Sequence, residues 1–209
     1  MKRRKVVHRT PERTKEKLLA AAKRAFAAAG FHGATVQEIA ADAGVNVSLV
    51  SHHFGGKAGI YRACLEAFGK GRLSKLEAYV TPPRSAEEFR TRLELLVLDL
   101  LDEHLAEPEV VTILLRDVDQ HELWGPELEQ LLFGFTVRFS QLFADAKRRK
   151  LLRADVDPMV AASLLYLAFS GLIQVSRHVE RVSGLNLGDA SVRTSLVRKT
   201  LDIVYRGIF

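Results

Sequence analysis

TVQEIAADAGVNVSLVSHHFGGK, residues 35–57, carries two short helical patterns separated by one tight turn. Thr35 is a hydroxyl N-cap and Glu38 stands three residues on, the spacing of a capping box in which each group satisfies the other's orphan backbone donor. Ile39, Ala40 and Ala43 predict an inward face, and Gly44 stops this helix after two turns. Glycine suits that stop because the turn after a helix takes a left-handed conformation that a Cβ disfavours. Val45 leads into Asn46, a second N-cap, and a further helix runs to about Phe54 before Gly55-Gly56 breaks it. Two helices of about eight residues joined in this way predict a helix-turn-helix, whose second helix can present its N-terminal residues to a major groove.

Helices this short do not persist alone in water, so their neighbours must supply a core. Upstream, Thr10-Pro11-Glu12 opens a helix with a hydroxyl cap, a proline at its first position and an acid near the positive dipole end. Leu18, Leu19, Ala22, Phe26 and Ala29 follow on one expected face, and Gly30 is the expected stop. Downstream, a helix begins at Lys57 with Ile60, Tyr61, Leu65 and Phe68 on its apolar side, and Phe26, Phe31 and Leu65 are expected to close the core. Thr81-Pro82-Pro83 marks a boundary. Beyond it, helices are expected over 85–107, opened by a second capping box at Ser85-Ala86-Glu87-Glu88, and over 109–120, 127–150, 158–178 and 191–208, the last capped by Ser191. No run alternates apolar and polar residues and no hairpin dipeptide occurs, so the class is all-α. The expected divisions are a basic arm at 1–10, the helix-turn-helix unit at 11–56, a connecting helix at 57–80 and a larger helical domain at 81–209.

Charge divides the chain at the same place. Residues 1–75 hold 15 Lys/Arg and 5 Asp/Glu, a balance of +10, whereas 76–209 hold 16 and 20, a balance of −4. One basic third on a mildly acidic remainder implies a polyanion-facing end, which nucleic acid or an anionic surface could satisfy. The single cysteine, Cys64, excludes an internal disulfide, and no Cys/His group has zinc spacing. The basic start is followed by no apolar stretch of the kind a secretory signal needs, and a cytoplasmic location is expected.

Leu18-Leu19, Ala21-Ala22, Phe26, Gly30-Phe31, Thr35, Ile39-Ala40, Ala43-Gly44-Val45, Val50, His52-His53-Phe54 and Gly56-Lys57 stand in the order and spacing of the TetR family of one-component regulators, and over roughly residues 12–70 the chain resembles it. The resemblance implies a DNA-binding unit at 11–56 and an effector-binding and dimerisation domain at 81–209: a homodimer on a palindromic operator, with a C-terminal ligand pocket controlling release. The recognition helix departs from the pattern. Many relatives begin it with Ser-Lys-Gly, and here Asn46-Val47-Ser48 stand instead; Ser51 replaces a common phosphate-binding tyrosine.

Candidate DNA contacts follow. Thr35 is an N-cap to which the resemblance adds a phosphate contact. Lys57 begins a helix, where the dipole disfavours a cation, and a phosphate partner would explain its position. Asn46, Val47, Ser48, Leu49, Ser51 and His52 are candidates for the DNA face. Leu49 would reach a thymine methyl if Val50 and Phe54 point inward, and pack in the core otherwise. His53 either joins this face or packs on the first helix. The Lys2–Lys5 arm would track phosphates or simply be solvated.

Residues 158–176 carry no charge, yet Ser163, Tyr166, Ser170, Gly171 and Gln174 interrupt them, and a buried dimer helix fits better than a membrane span. With the final helix, whose apolar lines are Val197-Leu201-Val204-Ile208 and Leu196-Ile203, it is expected to form the homodimer, with Leu165 and Leu201 in the interface. No phosphate loop, dinucleotide motif or nucleophile elbow is present, and scattered His104, His121 and His178 suggest no catalytic set, so neither an enzyme nor a cofactor is expected. Arg116, Asp117, His121, Trp124, Tyr166, Gln174 and His178 are the candidate pocket lining. Together these imply a DNA-binding regulator released by a small molecule; the alternative is the same fold controlled by docking of another protein.

Overall fold

The computed structural model describes residues 11–117 and 121–208, so the expected basic arm lies outside the described residues. Ten helices occur among them: α1 (Pro11–Gly33), α2 (Val36–Ala43), α3 (Ser48–Phe54), α4 (Lys57–Leu76), α5 (Ala86–Ala106), α6 (Pro108–Arg116), α7 (His121–Arg148), α8 (Pro158–Gln174), α9 (Ser176–Ser183) and α10 (Ala190–Ile208). The same residues contain no strand, and the fold is all-α.

Two apolar clusters hold it together. The first takes Leu18, Ala22 and Phe26 from α1, Ile39 and Ala40 from α2, Val50 from α3 and Ile60, Tyr61 and Leu65 from α4. It also includes Val110, Val111 and Ile113 of α6 and Trp124 and Leu128 of α7, so the N-terminal helices rest on later elements. Each such fully buried large side chain contributes about 1.5–3 kcal/mol, which three short helices alone could not collect. The second cluster gathers α5, the later turns of α7, α8 and α10 around Phe89, Phe139, Phe143, Leu165 and Leu201. Helix α4 serves both, through Phe68 in the first and Leu76 in the second.

Several boundaries depart from the expectations. Gly30 interrupts α1 (φ 76°, ψ 173°), but one further turn follows to Gly33, and Ala29 is exposed while Ala21 takes the buried place. Gly125-Pro126 is a joint inside α7 rather than its beginning. The expected helix at 158–178 ends at Gln174, and α9 follows separately as the sequence turns polar and its side chains leave the core. At Ser85 the reciprocal bond shifts by one residue: Ser85 Oγ accepts from Glu88 N–H at 3.1 Å, while Glu88 accepts from Arg84 N–H at 2.6 Å. Asp189, not Ser191, caps α10, its Oδ1 accepting from Ser191 N–H at 2.7 Å; a carboxylate is the stronger acceptor at a positive helix end.

Candidate DNA-reading face and ligand cavity

The turn between α2 and α3 is built as its residues require. Thr35 Oγ1 accepts from Glu38 N–H at 3.2 Å and the Glu38 carboxylate accepts from Thr35 N–H at 3.0 Å, closing the capping box. Gly44 sits left-handed at φ 65°, ψ 40°, and Val45 N–H reaches Ala40 O at 3.0 Å. Asn46 Oδ1 then accepts from Ser48 N–H at 2.9 Å and from Ser48 Oγ at 2.8 Å, while Val47 is already helical, so Asn46 caps α3. At the other end α3 lies hard against α4. A Cβ on Gly59 would stand 1.6 Å from the carbonyl oxygen of Phe54. No sequence motif flagged Gly59, because the demand comes from residues meeting across a turn.

This packing sorts the candidate DNA residues. Val47, Ser48, Ser51 and His52 are exposed along one face of α3, with Asn46 exposed at its start. Val50 is buried, and Leu49, His53 and Phe54 are half-buried. Leu49 packs on the N-terminal cluster, so the apolar group that faces solvent here is Val47, 41% exposed. His53 lies edge-on to His52, with ring centroids 4.9 Å apart. Thr35 is exposed at the start of α2, but its hydroxyl also donates to Glu38 at 2.8 Å. With Glu38 N–H taken by the cap, the donors left for a ligand at that end are the amides of Val36 and Gln37. Lys57 has a structural partner that its position in the sequence did not suggest. Its Nζ donates to His32 O at 3.1 Å and stands 5.0 Å from the Phe31 ring centroid, tying the start of α4 to the end of α1. An ammonium has three N–H groups, so this bond leaves donors over.

About 22 Å along α4 from Lys57, by helical rise, the same helix reaches a cavity of about 370 Å³. Leu114 of α6, Leu132 and Phe133 of α7, and Met159 and Leu167 of α8 form its apolar walls, and Trp124 and Tyr166 also line it. So does Arg72, only 4% exposed. Arg72 Nη1 donates to Tyr166 Oη at 3.2 Å, and its guanidinium carbon lies 4.0, 4.9 and 5.1 Å from the ring centroids of Phe135, Tyr166 and Phe68. Its Nε and Nη2 are buried with no hydrogen-bond partner among the described residues. Nearby His104 donates through Nδ1 to Leu100 O at 2.6 Å, which leaves Nε2 to accept from Ser170 Oγ at 3.1 Å. Burial, then the charge of Arg72, push its pKa down to about 4.

Residues 18–64, from the middle of α1 into α4, match the model of the bacterial regulatory proteins of the tetR family. This segment is that of the tetR family's helix-turn-helix. The chain is 31% identical over 106 residues to the HTH-type transcriptional repressor SCO4008 of Streptomyces coelicolor, covering 51% of this chain and 50% of that one. It is 25% identical over 204 residues to the HTH-type transcriptional repressor NicS of Pseudomonas putida, covering 94% and 93%. The relatives matched at 31% identity are thus spanned over about half their length. The ketosteroid transcriptional regulator KstR2 of Mycobacterium tuberculosis shares the fold, with a TM-score of 0.71, 18% identity and coverage of 93% and 94%. Among the described residues no helix is long and apolar enough to cross a membrane.

Within this fold the expected pocket residues separate. Trp124 and Tyr166 line the cavity. Arg116 and Asp117 do not. Arg116 donates to Phe26 O at 2.8 Å and to Ala27 O at 3.0 Å on α1 and pairs with Asp117 at 2.8 Å. Asp117 accepts from Tyr61 Oη at 2.9 Å, and Tyr61 in turn accepts from Trp124 Nε1 at 3.4 Å. Burial raises the Tyr61 pKa, so its hydroxyl stays a donor. Gln174 lines a different hollow, against α1 and α6. His178 is exposed on α9, with Arg181 Nη2 3.2 Å from its Nδ1. His121 opens α7, and its side chain lies outside the described residues. Arg72 was missed, although Leu65, Phe68, Arg72 and Leu76 share one helical stripe and an arginine there is out of place.

Proposed function

We propose that this chain is a repressor that binds a palindromic operator as a cytoplasmic homodimer and releases it when a small molecule fills the cavity beside Arg72 and Trp124. The observation that carries this reading is the double membership of α4. One end holds Phe54 against Gly59 and thereby sets α3, and the other end forms part of the cavity wall. A second connection runs from Trp124 through Tyr61, Asp117 and Arg116 to the carbonyls of α1. A ligand that moves α4 or α7 therefore moves the DNA-reading helices. In the bound state, Asn46, Val47, Ser48, Ser51 and His52 meet base edges, with Leu49 and His53 behind them, and Thr35, the amides beside it and Lys57 meet phosphates.

Two recognition helices can enter successive major grooves only when a dimer sets them about 34 Å apart. Val160, Leu164 and Leu167 make an exposed apolar line on α8, and Ile203 of α10 is 73% exposed. These side chains suit a second copy. Leu165 and Leu201, expected in that interface, are 3% and 1% exposed and lie in the core of the single chain. One register step on a helix turns a residue by about 100°, which separates Leu164 from Leu165.

The test is selection of bound fragments from genomic DNA, followed by footprinting and sedimentation of the complex. Two half-sites with two-fold symmetry, about one helical turn or a multiple apart, are expected with two chains bound. An asymmetric footprint with one chain would overturn the proposal.

A further inference from the structure

We infer that the cavity takes a ligand with one carboxylate on an apolar body, and that Arg72 is the group that binds this carboxylate. The assignment rests on reading the cavity as the effector site. An arginine cannot shed its proton when buried, and although three rings and Tyr166 attend this one, two of its nitrogens are left without a hydrogen-bond acceptor among the described residues. The faces of the guanidinium are covered by the rings of Phe135, Tyr166 and Phe68, and Nη1 is used by Tyr166. What remains are Nε and Nη2. These two nitrogens form one edge of the planar fork, with their N–H bonds parallel, the arrangement that matches both oxygens of a carboxylate at once.

The rest of the cavity fits the remainder of such a molecule. Its walls are leucine, methionine, phenylalanine and tryptophan, and its volume of about 370 Å³ is in the range that holds a small ligand. His104, whose ring lies against that of Tyr166, has its pKa held at about 4 and is therefore neutral near pH 7, so it adds no second charge. A purely structural Arg72 is the contrary reading. It predicts that an apolar replacement weakens the fold, whereas an unpaired buried charge predicts that it does not.

Trp124 is the only tryptophan in the chain and lines the cavity, so its fluorescence reports binding directly. The probes are decanoate, decan-1-ol and decylamine, titrated into the full-length wild-type protein and into Arg72→Met. The wild type is expected to bind decanoate at least tenfold more tightly than decan-1-ol and to reject decylamine. Arg72→Met is expected to bind the acid and the alcohol within about twofold and to melt no lower than the wild type without ligand. Equal wild-type affinities for acid and alcohol, or a preference that survives in Arg72→Met, would overturn the assignment. Where the Met variant does not fold, Arg72→Lys keeps the charge and loses the fork; undiminished decanoate affinity in it would overturn the assignment equally. Binding to a selected genomic fragment separates this inference from the proposed function. A carboxylate preference with no change in DNA affinity upholds the ligand class and sinks release. Release by decan-1-ol as readily as by decanoate sinks the class and leaves release standing.

Discussion

Lys57 has one structural role and is proposed for a second. Its bond to His32 O stabilises the joint between α1 and α4, and its remaining donors are available to a phosphate. Lys57→Gln keeps a donor for that carbonyl and removes the charge. It should lower the slope of log affinity against log salt by about one counterion for every DNA sequence tried, with little change in melting temperature. An unchanged slope takes Lys57 off the phosphate list. His104 gives a pH dependence of definite sign. Its folded pKa of about 4 lies below the unfolded value of about 6.5, so between those values the unfolded chain binds a proton that the folded chain does not. Its contribution is complete above pH 6.5 and is lost on acidification towards pH 4. By pH 5 the loss should reach about 2 kcal/mol in urea denaturation, and His104→Gln should remove that part of the slope. A variant with the wild-type slope would show the acid sensitivity lies elsewhere.

Among the elements, α3 depends most on its neighbours. Seven residues make too short a helix to persist, and only Val50 of them is buried. The Asn46 cap and the left-handed Gly44 position its beginning, and the contact of Phe54 with Gly59 positions its end. Gly59→Ala would place a Cβ against a backbone carbonyl that has no flexible way to yield, and should cost roughly 1–3 kcal/mol, the range for overpacking. Below its lowered melting temperature the variant should still bind DNA poorly, because α3 has been displaced. Gly71→Ala on the same helix is the control. A Cβ there meets nothing within 4 Å, so it should be neutral or add up to about 1 kcal/mol through helix propensity. Thermal melting and DNA titration of the pair decide the matter, and equal behaviour of the two variants would remove Gly59 from this role.

In the whole molecule the decisive surface is the apolar line on α8 and α10. Leu164 is 62% exposed and Ile203 73%, a burden that a single chain has no reason to carry. Leu164→Glu with Ile203→Glu should give folded monomers with weakened operator affinity in sedimentation and circular dichroism. Leu165→Glu should instead unfold the chain, because it buries an unpaired charge inside the protomer. A stable dimer of the double variant would place the interface elsewhere. The proposed release belongs to the same scale. A hundredfold change in DNA affinity needs about 2.8 kcal/mol of coupling, within the usual range, and must appear equally as weaker ligand binding on operator-bound protein.

The helix-turn-helix, the N-caps at Thr35, Asn46 and Ser85, and the all-helical class were legible from the sequence alone. Each rests on groups within four residues of one another: a hydroxyl and an amide, a glycine and a left-handed turn, an apolar repeat and one face. Where the local rule was ambiguous the reading slipped by a residue or a turn, as at Asp189 against Ser191 and at Gly125 inside α7. The cavity could not be read this way. That Arg116 and Asp117 brace α1 while Arg72 faces the hollow depends on which helices meet, over separations of 89 residues for Arg116 with Ala27 and 94 for Arg72 with Tyr166. The same holds for Lys57 and the His32 carbonyl, for Gly59 and Phe54, and for the side of α8 that takes Leu165 inward and leaves Leu164 outside. Periodicity tells which residues share a face, but only the packing of distant segments decides what that face meets.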